Sequence, residues 1–76
     1  MNIQLNGENR QLPHTATVHD LLRSEDLLER RVAVEVNGEI VTRSQHASHP
    51  LREGDVVEIV HALGGGRGSI VTRDRR

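Results

Sequence analysis

The chain opens with strict alternation. In Asn2-Ile3-Gln4-Leu5-Asn6 polar and apolar residues take turns, the period of a half-buried strand with Ile3 and Leu5 inward. Asn6-Gly7 is a pair that two-residue hairpin turns select, so Glu8 to Leu12 should return as a second, more polar strand. Pro13 has no N–H for a sheet ladder and ends that strand. The period then changes. Thr17 suits a helix N-cap, Asp20 gives a weaker relative of the capping box, and Val18, Leu21 and Leu22 recur at i, i+3 and i+4. Glu25 takes the next inward position and breaks the stripe. The helix should therefore end between Ser24 and Asp26, with Leu27 or Leu28 folding back onto the core.

Alternation resumes from Arg31 to Val36, with Val32, Val34 and Val36 on one face. Asn37-Gly38 is the strongest hairpin signal in the chain, and Ile40 and Val41 form a short return strand. Residues 42–50 are polar, rich in Ser and His, and end at Pro50; they read as a single helical turn or an irregular crossover, with Leu51 plugging the core. After the turn Glu53-Gly54-Asp55, Val56 to Val60 is a last strand. Val57 and Ile59 share its inner face, and Val56, Glu58 and Val60 its outer one. Two hairpins around one helix predict an α+β domain whose helix packs across a mixed sheet of four to five strands. The expected core is Ile3, Leu5, Leu12, Val18, Leu21, Leu22, Leu28, Val32, Val34, Val36, Ile40, Leu51, Val57 and Ile59.

Composition narrows the chemistry. Seventy-six residues make one domain near the lower size limit for an unstapled core. The lack of cysteine removes disulfides, thiolate nucleophiles and Cys-based zinc sites. The lack of Phe, Tyr and Trp leaves an aliphatic core and removes base stacking on aromatic rings, so nucleic acid is not an expected partner. There is no lysine, so no side-chain ammonium is present. No run approaches the roughly 20 apolar residues of a membrane span, and the N-terminus lacks a signal-peptide profile; a cytoplasmic, membrane-free monomer is expected. Of histidines 14, 19, 46, 49 and 61 only His46 and His49 lie close in sequence, in an irregular segment without clustered carboxylates, which reads as surface histidines and no metal site. Neither a nucleophile elbow nor a phosphate-binding glycine motif is present, so the chain is not expected to be an enzyme or to bind ATP.

Charge is uneven. Residues 1–66 carry six Arg against ten acids, a net of −4, whereas residues 67–76 carry four Arg and one Asp, a net of +3. An acidic body suits a partner with a basic face. Between the two regions lies His61-Ala62-Leu63-Gly64-Gly65-Gly66. Three glycines make a thread without side chains that can pass where a Cβ cannot. Taken alone, such a thread reads as a linker.

The preceding sequence changes that reading. Val32-Ala33-Val34-Glu35-Val36-Asn37-Gly38-Glu39-Ile40-Val41, then Arg43-Ser44-Gln45-His46, then Leu51 to Val60 with its Glu-Gly-Asp turn, then the three glycines, closely resemble the ThiS family, the sulfur carriers of thiamine biosynthesis. The resemblance covers residues 1–66 and implies a ubiquitin-like β-grasp fold. It implies a β-grasp domain over 1–63 and a glycine tail over 64–66 as the working end; residues 67–76 are a basic extension, expected from composition to be disordered, and are either a precursor segment cut after Gly66, an extended reading frame or a tail with a separate role. By the same resemblance Gly65 and Gly66 match the family's diglycine. Gly66 is then the carboxylate that a ubiquitin-activating-type enzyme adenylates with its own ATP, and that becomes a thiocarboxylate. Sulfur comes by a cysteine desulfurase route and passes to thiazole synthase. Gly64 extends the thread, and Val56, Val60 and Leu63 are the inferred docking residues. Family members end at the diglycine, whereas here Arg67 follows, so Gly66 lies in a peptide bond. The alternatives are a carrier like the small subunit of molybdopterin synthase and a plain β-grasp interaction module with a linker tail.

Overall fold

Two asparagine–glycine turns set the register of the sheet. The computed structural model describes residues 1–62 and the backbone of 71–73. Asn6 and Gly7 have φ of 50° and 85°, and Asn37 and Gly38 have 53° and 86°. Positive φ at both central positions is the type I′ turn, whose twist matches that of paired strands. The first turn joins β1 (Asn2–Leu5) to β2 (Glu8–Gln11) with Leu5 opposite Glu8. The second joins β3 (Val32–Val36) to β4 (Glu39–Val41) with Val36 opposite Glu39.

The remaining elements are α1 (Val18–Ser24), a 3₁₀ segment (Arg43–Ser48), β5 (Val56–Ala62) and β6 (Val71–Arg73). Strand order is β2-β1-β5-β3-β4, with β6 also paired to β5. β1 and β5 run parallel at the centre; the other pairs are antiparallel. One sheet face carries Ile3, Leu5, Val34, Val36, Val41, Val57 and Ile59, which cluster with Val18, Leu21 and Leu22 of α1 and with Leu51. The register stacks Val34 on Ile59 and Val36 on Val57. At roughly 1.5–3 kcal/mol per fully buried aliphatic side chain, these pairs carry much of the hydrophobic stabilisation. No helix among the described residues is long and apolar enough to cross a membrane.

Both ends of α1 are closed by local chemistry. Thr17 Oγ1 accepts from the Asp20 N–H at 3.2 Å, and Asp20 Oδ2 accepts from the Thr17 N–H at 2.9 Å, a complete capping box. The bond from the Thr17 N–H foremost, then that from the Thr17 hydroxyl to Asp20 Oδ2 at 3.2 Å, hold the Asp20 carboxyl below its ordinary range. At the other end the Leu27 N–H donates to the Leu22 carbonyl at 2.8 Å and the Asp26 N–H to that of Arg23 at 3.1 Å. This is a Schellman motif, and Asp26, with φ of 62°, holds the left-handed position that glycine usually takes. Leu27 packs against the core as its apolar partner. Leu28 does not; it is exposed.

The structure revises other expectations too. Ile40, expected inward, is 66% exposed, and Val41 is buried instead. The reason is register: the two-residue turn pairs Ile40 with outward Glu35 and Val41 with inward Val34. Ala16 is buried ahead of the helix, where its carbonyl accepts from the Leu51 N–H. Leu12 and Val32 are only partly buried against the core. His46 is not a surface residue: it is buried, and its Nε2 lies 3.1 Å from the Val41 carbonyl, tying the 3₁₀ segment to β4. Finally, residues 67–76 were expected to be disordered, yet Val71–Arg73 is a strand on β5. β-branched residues meeting a strand edge that lacks a neighbour explain it; the rest of that extension lies outside the described residues.

Candidate functional site

β5, the central strand, ends at Ala62, and the three glycines follow it in sequence after Leu63. The geometry around that strand end is set by the alternation of β5 backbone groups. Along the edge facing β1, the carbonyls of Asp55 and Val57 accept from the N–H groups of Gln4 and Asn6, both at 2.9 Å. β1 then turns away at Asn6-Gly7. The Asn6 side chain takes over, accepting from the Ile59 N–H at 2.8 Å and donating to the Ile59 carbonyl at 3.2 Å. On the opposite edge Asn37 does the equivalent at the start of β5. Its N–H donates to the Val56 carbonyl at 2.7 Å, its Oδ1 accepts from the Val56 N–H at 2.9 Å, and its Nδ2 donates to Asp55 at 2.9 Å. Both turn asparagines therefore serve two ends: they tolerate positive φ and they fasten β5.

The outer sheet face, away from α1, carries the described part of the inferred docking residues. Val56 is 43% exposed and Val60 half-buried, on one side of β5 with Glu58. The register sets Val60 beside Ala33, Glu58 beside Glu35, and Glu35 beside Ile40. The result is an apolar surface of Ile40, Val56, Val60 and Ala33 around two adjacent carboxylates. Leu63, Gly64, Gly65 and Gly66 lie outside the described residues. Ile40, Ala33 and Glu35 were not among the inferred docking residues. The two-residue turn was the available signal, because it alone fixes which residue of β4 faces outward.

On the inner side of β5, an open cleft of about 330 Å³ is lined by Leu5, Asn6, Arg10, Glu25, Leu27 and His61 among others. Within it Arg10 bonds Glu25 at 3.2 Å and Glu8 at 3.0 Å, and the bond to Glu25 foremost raises the guanidinium above its ordinary range. Among the described residues no group of three His, Asp or Glu could hold a metal ion. What the described surface offers is an apolar face with two carboxylates on the strand that precedes the glycines in sequence.

Comparison with known proteins agrees on one family. The sequence model of the ThiS family matches residues 3–66. The sulfur carrier protein ThiS of Bacillus subtilis (strain 168) is 42% identical over 65 residues, covering 84% of this chain and 98% of that protein. A thiazole synthase of Paramagnetospirillum magneticum is also 42% identical, over 66 residues that cover 87% of this chain but 20% of its own length. This chain thus spans about a fifth of the thiazole synthases it matches. The crystal structure of the thiamine biosynthesis protein ThiS from Geobacter metallireducens superposes with a TM-score of 0.75 at 30% identity, covering 87% of this chain and all of that one.

Proposed function

The chain belongs to the ThiS family, and on that premise we propose that it is a sulfur carrier for thiazole formation in thiamine biosynthesis, located in the cytoplasm. The observation that carries this reading is where the family match stops. It ends at Gly66, the last of three glycines that follow the central strand. An adenylating enzyme must bring a carboxylate in line with the α-phosphate of its ATP, largely a matter of positioning. A thread without side chains lets the Gly66 carboxylate enter a closed site while the globular body stays outside.

In this scheme an oxygen of the Gly66 carboxylate attacks the α-phosphate and pyrophosphate leaves. A persulfide drawn from a cysteine desulfurase route then displaces AMP to give an acyl disulfide, a thiol reduces that disulfide to release the thiocarboxylate, and the thiocarboxylate gives its sulfur to thiazole synthase. The chain is the substrate throughout and catalyses none of these steps. The partial match to chains named thiazole synthase favours that enzyme as acceptor. Ile40, Val56 and Val60 with Glu35 and Glu58 form the docking face, suited to an enzyme surface that is apolar with basic groups at its centre. Leu63, next in sequence before the glycines, is assigned to the same docking role.

Because Arg67 follows Gly66, only a chain ending at Gly66 has the reacting carboxylate. Residues 1–66 and 1–76 would each be incubated with ATP, an adenylating enzyme of the ubiquitin-activating type and a sulfur source, and weighed intact. The expected result is exchange of one oxygen for sulfur on 1–66, on none of the 1–76 chain, and on little of a Gly66→Ala version of 1–66. Thiocarboxylate on uncut 1–76, or none on either, would overturn the reading.

A further inference from the structure

One edge of β5 has three successive occupants. Asp55 and Val57 are bonded by the backbone of β1 and Ile59 by the Asn6 side chain. By the same alternation the backbone N–H and C=O of His61 face that edge, and the residue in register with His61 is Thr72. Val71–Arg73 thus continues, in the opposite direction, the edge that β1 leaves. The chain after the glycines is fastened beside the strand from which the glycines depart.

We propose that Val71–Arg73 is a strap that holds the glycine exit closed against a partner until it is unzipped or cut away. This rests on the carrier reading above. Ala62 and Val71 are register partners, so their Cα atoms are about 5 Å apart. A partner that closes around the end of β5 then meets a second strand paired to the same edge, about 4.8 Å away. Removing residues after Gly66 would therefore do two things: create the carboxylate, and free the last turn of β5 edge.

Two readouts test the strap separately from the carrier reading. In hydrogen exchange, the His61 amide of the 1–76 chain is expected to exchange about tenfold more slowly than in 1–66 and than in a Thr72→Pro form of 1–76, while Val34 and Val57 are unchanged. Proline removes the Thr72 N–H and keeps every arginine, so it separates pairing from charge. In binding to the adenylating enzyme, 1–76 is expected to be at least about tenfold weaker than 1–66, and Thr72→Pro to recover most of that difference. Equal His61 exchange in all three chains overturns the strap, as does a Thr72→Pro chain that binds no better than its parent. If 1–66 itself fails to bind, the carrier reading falls and the blocking role with it, whereas the exchange result still reports whether the strand is there.

Discussion

The side chain of Asn6 satisfies both backbone groups of Ile59, accepting its N–H at 2.8 Å and donating to its carbonyl at 3.2 Å across 53 residues of sequence. One turn residue therefore closes the first hairpin and joins it to the central strand. Asn6→Ala is expected to cost about 2–3 kcal/mol, from two lost hydrogen bonds and a Cβ-bearing residue without the asparagine tolerance for positive φ. Asn6→Gly keeps the conformation and should cost about 1–2 kcal/mol. Urea unfolding gives both values, and an Asn6→Gly chain as stable as the parent would show the Ile59 contacts to be dispensable.

Asp26 sits at φ 62° where the Schellman motif prefers glycine, and it is exposed. Asp26→Gly should stabilise the fold by about 0.5–1 kcal/mol by relieving the left-handed penalty. Thermal melting checks it; a lower Tm would mean that the aspartate side chain contributes more than its backbone costs.

The capping box makes a pH prediction with a definite sign. The folded state holds the Asp20 carboxyl low, chiefly through the Thr17 N–H. Its contribution is thus fully present above the unfolded carboxyl range, about 3.9, and is lost as pH falls through the lower folded value. Asp20→Asn should flatten that part of the stability–pH curve measured by urea unfolding between about pH 5 and 2. Thr17→Ala should lower stability by about 1 kcal/mol at neutral pH. An acid limb identical in Asp20→Asn and parent would remove Asp20 as its source.

Core and docking face should separate cleanly. Val57 is fully buried, whereas its neighbour Val56 is 43% and Ile40 66% exposed. Val57→Ala is expected to cost about 2–3 kcal/mol. The double change Ile40→Ala, Val56→Ala should stay within about 0.5 kcal/mol of the parent. In a chain ended at Gly66 that same pair should weaken binding to the adenylating enzyme about tenfold or more, read by calorimetry. Unchanged binding would exclude this face from the docking surface.

Most of the strands, both hairpin turns and the helix start are legible in the sequence, because each rests on local chemistry. Alternation gave the inward residues of β1, β3 and β5, and Asn-Gly pairs fixed both hairpins. Thr17 and Asp20 announced the helix within four residues of one another. The burial of β4 was also locally encoded, in the turn length, but the apolar pair Ile40-Val41 offers two choices and periodicity alone cannot choose.

Other features exist only once distant segments meet. The parallel pairing of β1 with β5 leaves the end of one β5 edge without a backbone neighbour, and that vacancy recruits both the Asn6 side chain and Val71–Arg73. Likewise His46 reads as polar and surface-bound in sequence; the carbonyl of Val41 makes its burial tolerable. Local patterns determined the helix, both hairpins and β5, since caps, turns and alternation act over a few residues. Tertiary structure decided which edges stay open and which carboxylates stand side by side, because strand order and register are long-range properties.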